Sequence, residues 1–192
     1  MSSSRILAND TLVLFADLQT GIADLPLTVT PERLKKGVLA LAKLAKLFEI
    51  PAIVTAVGAP DGSLDVMPEI EEGYGSKLRT HLRTTADSFL NQAIAEEIKA
   101  SGRNTILISG VATELAVQLP ALTGVDLGYR TFVVVDACGG TSERTEQAAL
   151  SRITANGGST VCVMTLAGEL AGDFSQPKAQ EAIGILFAMA KS

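Results

Sequence analysis

One histidine, two cysteines, no tryptophan and two tyrosines stand in a chain of 192 residues. The lone histidine, His81, is more readily a packed or surface residue than a metal ligand, so no metal is expected. Two thiols, Cys138 and Cys162, are too few for a disulfide framework, and both sit in or beside strand-like segments that favour buried free thiols. Neither a Gly-x-Gly-x-x-Gly nor a Gly-x-x-x-x-Gly-Lys loop occurs, so no nucleotide or other cofactor is expected. No apolar run approaches the roughly 18–20 residues that span a bilayer. The basic residues form no cluster and the net charge is −5. Nucleic acid and anionic membranes are therefore not expected as partners. Met1 to Arg5 lacks the apolar centre of a signal peptide, which makes the cytoplasm the expected compartment.

Apolar residues are abundant instead. They make up 47% of the chain, and the mean hydropathy is +0.30. Such an excess suits a parallel sheet covered on both faces, with a subunit interface adding to it. At this length the simplest organisation is a single domain over residues 1–192. No repeat, linker or low-complexity segment interrupts it.

Strand and helix signals alternate along the chain. Thr11 to Ala16 reads as a first buried strand. Thr30-Pro31-Glu32 opens a helix with a capping hydroxyl, a first-turn proline and an acid. Pro51 to Val57 reads as the second strand, and a third falls within Lys77 to Arg83. The segment from Gly58 to Asp87 otherwise lacks periodicity, and an irregular stretch of that length usually covers a site. Asn91 to Ser101 reads as a helix ended by Gly102. Thr105 to Ile108 is the fourth strand, closed by Ser109-Gly110. Thr113 can cap the helix that follows, with Leu115, Leu119 and Leu122 as its apolar face and Pro120 bending it. Arg130 to Val135 and Ser159 to Met164 read as the fifth and sixth strands. Helices fill Thr141 to Ala155, Leu166 to Leu170 and Gln176 to Ala190, the last turning Ala179, Ile183 and Phe187 inward.

Asp17 ends the first strand at its carboxyl edge, the edge where open α/β sheets bind ligands. Position alone leaves two readings open: a chemical group, or an acid that starts a turn.

The segment Gly110-Val111-Ala112-Thr113-Glu114-Leu115-Ala116-Val117 resembles the signature loop of the isochorismatase-like cysteine hydrolases. Asp17 in its Asp-x-Gln context, Arg83 to Phe89, and Asp136-Ala137-Cys138 are similar to further family segments. The resemblance implies a three-layer, Rossmann-like α/β sandwich with a parallel sheet of about six strands in the order 3-2-1-4-5-6. The site would lie at the switch point between the first and fourth strands. In the family an Asp, a Lys or Arg and a Cys share one pocket. By this register Asp17, Arg83 and Ala116 take those positions, with Lys77 and Arg79 competing for the basic one. Val111, Ala112, Thr113 and Gln19 are implied as substrate-binding neighbours, and a cis peptide falls between Val111 and Ala112. The N–H groups of Ala112 and Ala116 are the implied oxyanion donors.

Ala116 departs from the pattern, because the family's nucleophile is usually a cysteine there. Cys138 and Cys162 are not expected to replace it. Three readings follow. The chain is a cysteine hydrolase that has lost its nucleophile and binds amide-like substrates. Alternatively, Asp17 acts as a general acid on a vinyl ether, as in true isochorismatases. Or the chain is a catalytically inactive binding or assembly protein. The resemblance also implies a small-molecule substrate and a homo-oligomer. Nicotinamidase-like relatives hold a metal with an Asp and several histidines, and Val57 to Asp65 contains no histidine.

Overall fold

The computed structural model describes residues 5–59, 62–76 and 78–190. Six strands carry the fold: β1 (Thr11–Ala16), β2 (Ala52–Val57), β3 (Thr80–Arg83), β4 (Thr105–Gly110), β5 (Arg130–Val134) and β6 (Ser159–Val161). They pair in parallel in the order β3-β2-β1-β4-β5-β6, as the sequence led us to expect. Around them lie α1 (Thr20–Ala23), α2 (Pro31–Leu47), α3 (Pro68–Tyr74), α4 (Gln92–Ala100), α5 (Gln118–Asp126), α6 (Glu143–Ala155), α7 (Val163–Ala171) and α8 (Pro177–Ala190). Among the described residues, no helix is long and apolar enough to cross a membrane.

β1 and β4 are buried at every position, which is why both read as unbroken apolar runs. Alternate side chains serve opposite faces. Val13, Phe15, Val54 and Leu107 pack with α2, α3, α7 and α8. Leu12, Leu14, Ile106, Ile108 and Val133 pack with Ile94 and Ile98 of α4, Ala121 of α5 and Ile153 of α6. Each large aliphatic side chain removed from water contributes up to about 1.5–3 kcal/mol. Helix starts follow local chemistry. The Thr30 hydroxyl accepts from the Arg33 N–H at 3.3 Å, and Asn91 and Ser142 cap α4 and α6 in the same way.

Several local expectations change. β4 continues through Ser109-Gly110, because the Ser109 hydroxyl donates to the Ala137 carbonyl at 2.5 Å and Gly110 lies against Ala16. β6 ends at Val161, and Val163 already opens α7. The Asp136 carboxylate accepts the Val163 N–H there, at 2.9 Å, so Cys162 precedes a helix rather than lying within a strand. Burial pushes the Asp136 carboxyl above its ordinary value. Part of the segment expected to be irregular folds as α3, with Pro68 in its first turn. In α8 the inward positions are Ala179 and Ala182, whereas Phe187 is 66% exposed.

The turn after β4 differs most. Residues Thr113–Val117 form a π-helical turn, and α5 begins only at Gln118. Pro120 has no N–H to donate to the Ala116 carbonyl, so the helical ladder widens just ahead of it. The extra residue in that turn shifts the helical phase. Leu115, expected on the apolar inner face, is consequently 52% exposed.

Candidate active site

The carboxyl ends of β1, β2, β3 and β4 surround a cleft of about 620 Å³. Asp17, Ile22, Val57, Gly58, Leu82, Arg83, Thr84, Thr85, Ala86, Val111, Ala112, Leu115 and Ala116 line it. It lies beside the β1–β4 junction, where the strand order reverses direction.

Asp17 leaves β1 in the left-handed region, at φ 54°, a conformation that Asp tolerates better than most residues. Two backbone bonds hold it there. Its N–H donates to the Thr55 carbonyl at 3.0 Å, and its carbonyl accepts the Gln19 N–H at 2.9 Å. Arg83 ends β3, two strands away. At about 4.8 Å per strand the gap is roughly 10 Å, which suits a long basic side chain. Arg83 Nε donates to Asp17 Oδ1 at 2.9 Å, and Nη2 donates to Asp17 Oδ2. Nη1 donates to the Thr85 carbonyl, so each guanidinium nitrogen has an acceptor. The Thr55 hydroxyl points at Asp17 Oδ1 from 3.4 Å. Both members of the pair are buried, Asp17 at 4% and Arg83 at 2% exposure. Burial pushes the Asp17 carboxyl above its ordinary value, while Arg83 and Thr55 pull the other way.

The turn after β4 forms the opposite wall. The Val111–Ala112 peptide is cis, as the family resemblance implied. Ala116 is 1% exposed and borders the cleft. Its N–H differs from expectation: it donates to the Ala112 carbonyl at 3.0 Å, as does the Leu115 N–H. The Thr113 N–H donates to the Gly139 carbonyl at 3.0 Å. The Leu115 and Ala116 donors are thus engaged within the turn itself, and the Thr113 donor by the segment ahead of α6.

Two of the candidate residues are brought near the cleft without lining it. Gln19 is tied on both ends of its amide. Its Nε2 donates to the carbonyls of Val57 at 2.9 Å and Leu64 at 2.7 Å, and its Oε1 accepts the Val57 N–H at 2.9 Å. Gln19 thus fixes the end of β2 and the loop beyond it. The Thr113 hydroxyl donates to Glu146 Oε1 at 2.8 Å rather than capping the following helix. Glu114, next to it, accepts from the Thr141 N–H and hydroxyl and from the Thr145 hydroxyl. Partial burial would raise the Glu114 carboxyl, but these bonds hold it below its ordinary value. Together they fasten the turn to the start of α6.

Other groups fall outside the cleft. Arg79 borders a separate depression with Leu64, Asp65, Val66, Glu71, Leu78 and Thr80. Lys77 lies outside the described residues. His81 does not line the cleft, and its Nε2 meets Glu97 Oε2 at 2.8 Å. The Cys138 thiol is pushed up to about 12 by burial, which leaves it inert as a nucleophile. Cys162 Sγ sits 3.2 Å from the Thr165 hydroxyl at the start of α7.

Sequence reasoning did not single out Thr55, Leu82 or Thr85, and it read Leu115 as part of a helix's apolar face rather than as a cleft residue. Thr55 and Leu82 were findable from their place near the carboxyl ends of β2 and β3. Thr85 acts through its backbone carbonyl, which carries no side-chain signal.

A parallel sheet of this order, with the Asp17–Arg83 ion pair facing a turn after β4 that holds a cis peptide, fits an isochorismatase-type domain. The Isochorismatase domain family matches residues 11–165, and the chain belongs to that family. It is 33% identical over 172 residues to Probable hydrolase YcaC of Escherichia coli (strain K12), covering 88% of this chain and 82% of that protein. The crystal structure of the Escherichia coli YcaC gene product, an octameric hydrolase of unknown specificity, superposes with a TM-score of 0.85 at 30% identity, over 98% of this chain and 90% of that one. YcaC from Pseudomonas aeruginosa, solved with hexane-2,5-diol and covalent acrylamide, superposes with a TM-score of 0.89 at 30% identity, over 99% of this chain and 96% of that one.

Proposed function

We propose that this chain, acting as one domain, is an isochorismatase-family hydrolase of a small amide-like or vinyl-ether substrate, impaired for covalent thiol chemistry because Ala116 stands at the nucleophile position. The observation that carries the reading is the cleft shared by Asp17, Arg83 and Ala116. Asp17 serves as the acid–base group, and burial supports this by moving its carboxyl toward neutral pH. Arg83 holds Asp17 in place and stabilises developing negative charge. Val111 and Ala112 border the bound substrate. Gln19 and Thr113 act by positioning the walls.

A second reading is a binding protein without turnover. It is favoured by two observations: both Asp17 oxygens are gripped by Arg83, and the Ala116 N–H is already engaged.

The octameric Escherichia coli relative suggests that this chain also assembles with itself. Leu90 at 70%, Met164 at 63% and Phe187 at 66% exposure are candidate contacts. The test of function is turnover of isochorismate and a panel of small amides by the unaltered protein, by Asp17→Asn and by Ala116→Cys. Turnover that disappears in Asp17→Asn supports the hydrolase reading. No turnover of any member by the unaltered protein or by Ala116→Cys favours the binding reading.

A further inference from the structure

The cleft carries a chemical bias of its own. Among the described residues that line it, Asp17 and Arg83 are the only charged side chains, and they neutralise one another through two hydrogen bonds. The third guanidinium nitrogen is taken by the Thr85 carbonyl. A bound carboxylate would therefore have to compete with Asp17 for its cation. The rest of the wall is mostly apolar: Ile22, Val57, Val111, Ala112 and Ala116. The net charge of −5 further disfavours anions.

Two leucines complete the cleft at its exposed edge. Leu82 comes from β3 and Leu115 from the π-helical turn, and each is just over half exposed. Leu82 Cδ1 lies over Gly58, 3.4 Å from where a Cβ on that glycine would stand. Leu115 is exposed because the widened turn rotates it off the core. Large apolar side chains left in water beside a cleft are a site for apolar contact.

We propose that the cleft selects neutral ligands carrying an apolar arm, and that Leu82 and Leu115 are the residues that set this selection. The proposal rests on the functional reading above only in placing the ligand in this cleft. A small amide with an alkyl chain fits: its neutral head lies near Asp17 and Arg83, and its chain runs between the two leucines. Substrates with two carboxylates, isochorismate among them, are disfavoured.

The test is equilibrium binding of acetamide, propionamide, butyramide and pentanamide, and of the matching carboxylates, by ligand-observed NMR. The amides are expected to tighten by about fourfold per methylene, and butyramide to bind at least tenfold tighter than butyrate. Leu115→Arg is expected to reverse the order of butyramide and butyrate. Leu127→Arg, a control placed at an exposed leucine that does not line the cleft, is expected to leave it unchanged. Product signals in the same spectra report turnover separately, so amide binding without turnover retains this proposal while the hydrolase reading fails. The proposal is overturned by flat or undetectable amide binding, by butyrate binding as tightly as butyramide, or by equal effects of the two arginine variants.

Discussion

Arg83 spans the end of β2 to hold both carboxylate oxygens of Asp17, joining the last residue of β3 to the residue after β1. A pair so placed is a structural bond as well as a candidate for chemistry. Removing one member leaves a buried charge without its partner, which typically costs 3–5 kcal/mol. Arg83→Met is therefore expected to lower unfolding free energy by about 3–5 kcal/mol in urea titrations. The double variant Asp17→Asn/Arg83→Met is expected to be more stable than Arg83→Met alone. A double variant less stable than Arg83→Met would show that the two side chains act independently.

Asp17 also predicts a pH dependence. Burial raises its carboxyl above the ordinary value. The folded state thus holds the Asp17 proton more tightly than the unfolded chain does. This favours the fold below the unfolded value of about 3.9, and the advantage is lost as pH rises through the raised value. The stability of the natural protein minus that of Asp17→Asn should fall across this window and then level off. Urea titrations from acid to neutral pH measure it, and a difference that grows with pH contradicts the assignment. Turnover in which Asp17 donates a proton should decline as pH rises through the same raised value.

The thiols give a chemical test. Cys138 is buried and pushed up to about 12, while Cys162 is partly exposed. Acrylamide is expected to leave Cys138 unmodified in the folded protein, with any slow adduct at Cys162. Ala116→Cys should add one fast adduct at position 116. Intact-mass and peptide mass spectrometry read the outcome. Rapid labelling of Cys138 contradicts the described core.

Much of this architecture was legible because it rests on local patterns. The apolar runs of β1 and β4 and the Thr30-Pro31 start of α2 each declare themselves within a few residues. Asp17 was visible as an acid ending an apolar strand, but that position alone left a turn-starting acid equally open, and the family resemblance was what pointed to a site. The family resemblance put Arg83 in the same pocket, but its direct grip on both Asp17 oxygens was not legible, because it depends on how the side chain reaches across β2. Gln19 was read as a substrate neighbour, yet its amide is used by Val57 and Leu64, partners 38 and 45 residues away. Thr113 looked like a helix cap and instead meets Glu146, 33 residues on. Leu115 was assigned to a helix interior by its spacing. The π-helical turn broke the assumed period and turned that side chain outward.

Glycine contacts predict where the frame tolerates no change. A Cβ on Gly110 would stand 2.4 Å from the Ala16 carbonyl oxygen, directly before Asp17. Gly110→Ala is expected to cost at least about 1–3 kcal/mol and to displace Asp17, lowering activity beyond the loss of stability. A Cβ on Gly168 within α7 would meet no side chain or other element within 4 Å among the described residues. Gly168→Ala should stabilise the protein by roughly 0.5–1 kcal/mol. Thermal and urea unfolding compare the pair.

The most direct measurement of the central claim is amide turnover by Ala116→Cys, alone and combined with Asp17→Asn. If position 116 shares a working cleft with Asp17 and Arg83, a thiol placed there should raise amide hydrolysis well above that of the unaltered protein. Adding Asp17→Asn should then abolish the gain. An Ala116→Cys protein that folds normally yet hydrolyses amides no faster than the unaltered chain would contradict the account.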